Sequence, residues 1–148
     1  MVAVVQRVTG ASVCVDGREV SRIGPGAVVL LGVARGDTRA SAERFAARIH
    51  ALRYFEDGEG RLNRALAEVQ GQVLVVSQFT LLGDCRRGRR PGYGRAAPAA
   101  EAAPLVDAFA EALRRCGAPV ACGVFGAHMR LALENDGPVT LIVDDRAD

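Results

Sequence analysis

The stretch that most constrains the fold begins at Val73 and ends at Thr80. It joins four apolar residues, three of them β-branched, to a polar cluster with one aromatic ring, in the order Val73, Leu74, Val75, Val76, Ser77, Gln78, Phe79, Thr80. The apolar half is too short and too branched to favour a helix, and it predicts a strand that is buried on both faces. Because the end of a core strand supports side chains and backbone N–H groups rigidly, residues 77–80 are the first candidate site.

The remaining pattern predicts further strands on both sides of this stretch and two helices. Apolar runs predict strands over residues 2–9, 11–15, 18–23, 27–33, 120–122, 129–135 and 139–143, and helical spacing predicts helices over 39–53 and 99–116. Asp16-Gly17 predicts a hairpin turn, Asp136-Gly137-Pro138 predicts a turn between the last two strands, and residues 61–71 look irregular. We expect one α/β (or α+β) domain over residues 1–148, with a curved sheet that carries two helices.

Composition excludes several classes of mechanism. All 19 basic residues are arginine, so no lysine is available as a Schiff base, a general base or a phosphate-loop cation. The net charge of +2 is too small to argue for or against a nucleic-acid partner. The four cysteines lack the spacing of a zinc site, and no signal peptide or membrane-length apolar run is seen, which predicts a reduced, soluble, cytoplasmic protein.

Few side chains are available for acid–base chemistry. The only histidines are His50 and His128, so a triad built on Ser77 would need one of them, and a small-ester hydrolase would use His128. Hydroxyls, amides and backbone donors instead suit a substrate that is already activated, such as an ester with a good leaving group. The structural alternative is that the hydroxyls of residues 77–80 only cap neighbouring turns.

A basic loop follows the candidate site. It contains four closely spaced guanidinium groups, those of Arg86, Arg87, Arg89 and Arg90. Arginine binds phosphate bidentately, which predicts a contact with an RNA backbone, while the alternative is a solvated, self-repelling loop. A non-catalytic RNA-binding protein is therefore a second hypothesis for the function, and Tyr93 nearby is a single aromatic ring that could stack on a base.

Six short motifs, taken in their order and spacing, resemble a known family. They are Val5-Gln6-Arg7-Val8, Ser77-Gln78-Phe79-Thr80-Leu81, Gly83-Asp84-Cys85-Arg86, Gly88-Arg89-Arg90-Pro91, Gly123-Val124-Phe125-Gly126-Ala127-His128-Met129 and Asn135-Asp136-Gly137-Pro138-Val139-Thr140. These motifs extend over essentially the whole chain, which resembles the D-aminoacyl-tRNA deacylases of the D-Tyr-tRNA deacylase type. The resemblance implies a barrel-like sheet and a homodimer without cofactor or metal that hydrolyses the ester between a D-amino acid and the 3′ end of tRNA.

The resemblance also implies roles for the polar cluster. Ser77, Gln78, Phe79 and Thr80 match the motif that lines the pocket, where backbone N–H groups near Phe79 would face the ester carbonyl. Thr80 has been considered a nucleophile in this family, but the better-supported view needs no side-chain nucleophile. In that view the 2′-OH of the terminal adenosine assists and water completes the hydrolysis, which agrees with the scarcity of bases in this sequence.

The same resemblance assigns the selection of the substrate. Gly137 and Pro138 match a cis Gly-Pro motif that enters the pocket of the partner subunit and rejects L-amino acids, while Arg7 would lock this motif in place. Phe125 and Met129 would line the pocket, and the arginines of residues 86–90 would contact the tRNA. Because glycine has no side chain to exclude, a site of this kind is also expected to accept glycyl-tRNA.

Overall fold

The computed structural model describes residues 1–86 and 88–145, and its main element is a curved, barrel-like mixed sheet that carries two helices. The fold class predicted from the sequence is confirmed. Six strands form the sheet: β1 (Val2–Val15), β2 (Arg18–Ile23), β3 (Gly26–Gly32), β6 (Gln72–Ser77), β7 (Val120–Cys122) and β8 (Met129–Asp144). Their order is β2-β1-β3-β6-β7, with β8 paired to β1, and β4 (Arg53–Glu56) and β5 (Leu62–Ala65) form a separate hairpin.

The first strand is longer than the sequence predicts. Gly10 was expected to separate two strands, but β1 runs without a break for 14 residues. It continues because β8 pairs with it on both sides of Gly10, while its other edge pairs first with β3 and then with β2. The hairpin turn between β1 and β2 is confirmed at Asp16 and Gly17, which both have positive φ, as a tight two-residue turn requires.

The turn predicted at residues 136–138 is wrong, because this segment is a bulge within a single strand, β8. The chain does not reverse there, because the segments before and after it pair antiparallel with the same strand: Asn135 lies opposite Val8 and Thr140 opposite Gln6. Between these two pairs the chain covers five residue steps in β8 but only two in β1. The extra residues of β8, which include Asp136, Gly137 and Pro138, therefore bulge away from the ladder. We call this segment, residues 136–138, the Gly-Pro bulge.

The helices are α1 (Arg39–Ala51) and α2 (Ala99–Arg115). Thr38 begins α1 with a capping box, in which its side chain accepts from the Ser41 N–H and the Ser41 hydroxyl accepts from the Thr38 N–H. The first helix ends two residues before its predicted end because Arg53 already belongs to the β4–β5 hairpin, and residues 61–71, which looked irregular, contain β5 and a 3₁₀ turn. No helix of the described residues is long and apolar enough to cross a membrane.

The central strand lies where the sequence predicts it. Val73, Leu74, Val75 and Val76 are all buried, because the two faces of β6 contribute to two different apolar clusters. The cluster under the helices includes Phe45 and Phe109, whose ring centroids are 6.1 Å apart. Strand β6 runs parallel to β3, and this pairing places Ser77 beside Leu31 at the carboxyl end of both strands.

Candidate active site at the end of the central strand

The backbone after β6 turns at once into a tight 3₁₀ turn over Phe79–Leu82. The Gln78 N–H donates to the Leu31 carbonyl at 2.7 Å, which ties the start of this turn to β3. Close approach is possible because Gly32 has no side chain: a Cβ there would lie 3.1 Å from the Gln78 carbonyl oxygen. Since Phe79 is the first residue of the turn, its N–H has no carbonyl partner inside the turn and is available to a ligand.

A cavity of about 560 Å³ opens beside this turn. Ser77, Gln78 and Phe79 form one wall, and α2 supplies another through Ala102 and Val106. The lining is mostly apolar, and of the described residues around it only His128 has an ionisable side chain. A polar strand end against an apolar wall is typical of a ligand site.

The structure brings some of the predicted site residues to this cavity and leaves others elsewhere. Phe125 and Met129 line it, as does His128. Thr80 lies just outside the lining, and the Gln78 side-chain amide donates a hydrogen bond to its hydroxyl. Ser77 and His128 share the cavity, but none of the side-chain hydrogen bonds found among the described residues joins them, so a preformed Ser-His pair is not seen.

The Gly-Pro bulge lies away from the cavity of its own chain. Along β3, the bulge is level with Ala27, the partner of Arg7, whereas Ser77 is level with Leu31. Four residues of strand separate these levels, which is about 13 Å. The bond between Gly137 and Pro138 is cis, and both residues are exposed.

Arg7, a residue of β1 that is only 4% exposed, holds the bulge through its guanidinium group. Its Nε donates to the Asp136 carbonyl at 3.1 Å and lies 2.9 Å from Asp136 Oδ2. The other nitrogens donate to the Tyr54 carbonyl at 3.1 Å and to Glu56 Oε1 at 3.3 Å. One side chain therefore joins the bulge to the β4–β5 hairpin.

Asn135 is a second support for the bulge, and the sequence analysis did not single it out. Its side-chain amide donates to the Arg7 carbonyl at 2.8 Å and to the Val139 carbonyl at 3.1 Å. The first bond joins the start of the bulge to β1, and the second links the residues on its two sides within β8. The available signal was its position directly before Asp136, because Asn side chains commonly bond to nearby backbone at irregular sites.

The basic loop divides its arginines into two kinds. Arg86 is paired with Asp84, with Nε at 2.9 Å from Oδ1 and Nη2 at 2.6 Å from Oδ2. The hydrogen bonds from the Arg86 side chain hold the pKa of the Asp84 carboxyl well below its usual range. Arg89 and Arg90 are exposed and make no ion pair with any described residue. Arg87, which was predicted to contact RNA, lies outside the described residues. The charge of Arg86 is thus largely compensated, whereas those of Arg89 and Arg90 are available.

The remaining reactive side chains form no further centre in the described part of the chain. All four cysteines are free thiols, and burial raises the pKa of the half-buried Cys122. No group of three His, Cys, Asp or Glu side chains among the described residues could hold a metal ion.

Comparison with known proteins identifies the family. Residues 4–144 match the family model described as D-Tyr-tRNA(Tyr) deacylase. The chain is 58% identical over 144 residues to a D-aminoacyl-tRNA deacylase of Thermomicrobium roseum, which covers 97% of this chain and 94% of that protein. It is 56% identical to one of Roseiflexus castenholzii, over 97% of this chain and 92% of that protein.

Solved structures share the fold of this chain. One, described as a c-Myc DNA unwinding element binding protein, has a TM-score of 0.93 and 41% identity over 99% of this chain and all of that one. Another, of a probable eukaryotic D-amino acid tRNA deacylase, has a TM-score of 0.79 over 96% of this chain and 97% of that one; at 20% identity it supports the fold alone. The resemblance drawn from the motifs is confirmed, and the chain belongs to the D-Tyr-tRNA(Tyr) deacylase family.

Proposed function

We propose that this protein hydrolyses the ester bond of D-aminoacyl-tRNA in the cytoplasm, where charged tRNA is used. Water adds to the ester carbonyl, the bond to the ribose oxygen breaks, and the products are a free D-amino acid and a tRNA with a free 3′ end. Family membership supports the substrate class. The observation that carries the mechanism is the cavity at the end of β6, which offers backbone and amide donors but almost no ionisable side chains.

The site residues act by positioning and by stabilising charge. The Phe79 N–H faces the position of the ester carbonyl and donates to the oxyanion that forms as water adds. Removal of one such donor typically costs about 3 kcal/mol of transition-state stabilisation, so a few donors supply much of the rate. Ser77 and Gln78 orient the ester, and Thr80 is not a nucleophile. The neighbouring ribose 2′-OH assists by relaying a proton from the attacking water to the departing 3′ oxygen, so no protein base is needed.

A second copy of the chain completes the site. The Gly-Pro bulge is exposed and lies about 13 Å along the strand direction from the level of Ser77, too far to close the cavity of its own chain. A row of apolar side chains, Ile142, Val4, Leu30 and Val76, crosses four neighbouring strands on one face and runs into the cavity. Ile142 is 80% exposed in a single chain, which favours a homodimer that covers this row and brings each bulge to the other cavity.

Selection against L-amino acids follows from this arrangement. Carbonyl groups of the partner's bulge accept hydrogen bonds from the α-amino group, and the bulge occupies the space in which an L side chain would begin. Phe125 and Met129 bound the pocket on the other side. Glycyl-tRNA is also hydrolysed, because glycine offers nothing to exclude. Arg86, Arg87, Arg89 and Arg90 supply phosphate contacts outside the pocket, and the contribution of Arg86 is reduced because Asp84 largely compensates its charge.

The test is release of labelled amino acid from matched D-Tyr-tRNA, L-Tyr-tRNA and Gly-tRNA by the purified protein. The proposal expects rapid release from the D and glycyl forms and little from the L form. Equal release from the D and L forms would indicate a general esterase, and tRNA binding without release would favour the RNA-binding hypothesis. A Ser77–His128 hydrolase would instead lose its activity on His128→Ala.

The dimer is tested separately with Ile142→Glu. This residue is exposed and lies outside the cavity, so the substitution leaves the folded single chain intact. We expect sedimentation to show a monomer and deacylation to be lost. Val20→Glu, the same kind of change at an exposed apolar residue of β2 that lies outside both the row and the cavity, is the matched control for the added charge. A monomeric Ile142→Glu protein with full activity would contradict the shared site.

A further inference from the structure

An exposed pair of aromatic rings lies at the mouth of the cavity. The centroids of Phe79 and Tyr93 are 5.1 Å apart, and their planes meet at 69°, an edge-to-face contact. Phe79 is 56% exposed and Tyr93 is 40% exposed. The chain has only five Phe and two Tyr, and the other exposed ring, Phe125, lines the same cavity. Exposed aromatic rings are thus gathered at one place, which stability of the single chain does not require.

The Tyr93 ring is presented by a rigid backbone. On one side Gly92 and Asp84 exchange two backbone hydrogen bonds, of 2.7 and 2.9 Å. On the other side the Ala96 N–H donates to the Tyr93 carbonyl at 3.0 Å. The ring lies over Gly83, where a Cβ would be 3.2 Å from Tyr93 Cε1. A ring held in this way loses little conformational entropy when it binds a ligand.

The charges around the pair indicate the kind of ligand. Arg89 and Arg90 stand in the same loop as Tyr93, and both are exposed. Arg35 donates from Nε to the carbonyl of Gly94, the residue after Tyr93, at 3.0 Å and adds a third guanidinium to this loop. Exposed aromatic rings in a loop that carries exposed guanidinium groups match single-stranded RNA, in which bases stack and phosphates attract arginine.

We propose that the Phe79–Tyr93 pair is a stacking site for the unpaired base that precedes the terminal adenosine of the RNA substrate. The inference rests on the proposed function, which places the ester of the terminal adenosine beside Phe79. The next nucleotide then leaves the cavity over the adjacent ring. Stacking tolerates any base, so this site binds the common 3′ end without reading the rest of the tRNA.

The experiment compares Tyr93→Leu with Tyr93→Phe on substrates of increasing length. Leucine keeps the apolar contact with Gly83 but has no ring face, whereas phenylalanine keeps the face and is the matched control. The substrates are the D-tyrosyl esters of adenosine and of cytidylyl-adenosine. For Tyr93→Leu we expect KM on the dinucleotide ester to rise roughly 5- to 100-fold, while kcat and the activity on the adenosine ester stay within twofold of the original protein.

A direct binding measurement separates this inference from the proposed function. A 5′-ACCA-3′ oligonucleotide that carries no amino acid is titrated against both variants and the original protein. Only Tyr93→Leu is expected to bind it more weakly, by roughly the same factor as the rise in KM. Equal losses on both esters, or unchanged affinity for the oligonucleotide, would overturn the stacking site whether or not D-Tyr-tRNA is hydrolysed. Dissociation of the Tyr93→Leu protein into monomers in sedimentation would also overturn it, because the pair would then be a contact between subunits.

Discussion

Replacement of Arg7 by methionine tests how the Gly-Pro bulge is held. Methionine keeps the length and the apolar stem of arginine but removes every hydrogen bond to Asp136, Tyr54 and Glu56. The matched control is Arg44→Met on the exposed face of α1, which makes the same chemical change where no hydrogen bond is found among the described residues.

The cost of this change follows from the exposure of the three partners. The carboxylates of Glu56 and Asp136 have side chains that are 54% and 49% exposed, so water replaces the guanidinium and each ion pair contributes only about 0–1 kcal/mol. The hydrogen bond to the Tyr54 carbonyl is buried, and an unsatisfied buried acceptor costs about 1–3 kcal/mol. We therefore expect the free energy of unfolding to fall by about 1–5 kcal/mol, the sum of these terms, against about 5–15 kcal/mol for a typical domain.

Two assays decide between the possible outcomes. Urea unfolding measures the loss of stability, and amino acid release from D-Tyr-tRNA and L-Tyr-tRNA measures selectivity. We expect the ratio of D to L hydrolysis to fall at least about tenfold, because 1.4 kcal/mol of lost discrimination already has that effect. A free energy of unfolding within about 0.5 kcal/mol of that of the original protein would refute a stabilising role for the buried hydrogen bond from Arg7 to the Tyr54 carbonyl. Lower stability with an unchanged D/L ratio would show that Arg7 does not govern selection.

Three further predictions concern separate parts of the fold. Asn135→Asp keeps the shape of the side chain but cannot donate to the Arg7 and Val139 carbonyls. We therefore expect a loss of about 1–3 kcal/mol in urea unfolding and a lower D/L ratio, whereas unchanged values would contradict this role. Burial raises the pKa of the Tyr54 phenol above its ordinary value of about 10, so the unfolded chain loses this proton first. The free energy of unfolding should therefore fall by about 1.4 kcal/mol per pH unit as the pH rises above about 10. Tyr54→Phe should remove this alkaline loss, and below about pH 10 the stability-versus-pH curves of the two proteins should be parallel. Gly26→Ala places a Cβ 1.9 Å from the Gln72 carbonyl oxygen and should cost at least about 2 kcal/mol, whereas Gly58→Ala, with nothing within 4 Å, should be close to neutral.

The local patterns were sufficient wherever the physical cause lies within a few residues. The buried run of β6 appears as predicted because four consecutive apolar residues leave no polar face to expose. Asp16 and Gly17 specify a hairpin since both tolerate positive φ. The start of α1 lies where helical spacing predicts it, because Thr38 and Ser41 form a capping box within the first turn. The six motifs, in their order and spacing, were also sufficient to identify the family.

The errors arose where a contact across the chain overrides the local signal. A turn at residues 136–138 was a sound inference from Asp, Gly and Pro alone, but both flanking segments pair with β1, and a strand partner about 130 residues away decides their direction. Residues 61–71 have weak local preference, and β5 forms there because β4 offers it a partner. Arg86 differs from Arg89 and Arg90 in having its charge paired, because the fold of the loop brings the Asp84 carboxylate to it.

The sequence by itself therefore determined the fold class, the central strand with its polar end and the family. Only the tertiary structure decided which residues share the cavity, how Arg7 and Asn135 hold the bulge, and that this bulge lies too far from the cavity of its own chain to close it. The physical reason is the range of the forces involved. Propensities, caps and turns act over one or two turns of chain, whereas strand register and buried hydrogen bonds join residues that the fold brings together from its two ends.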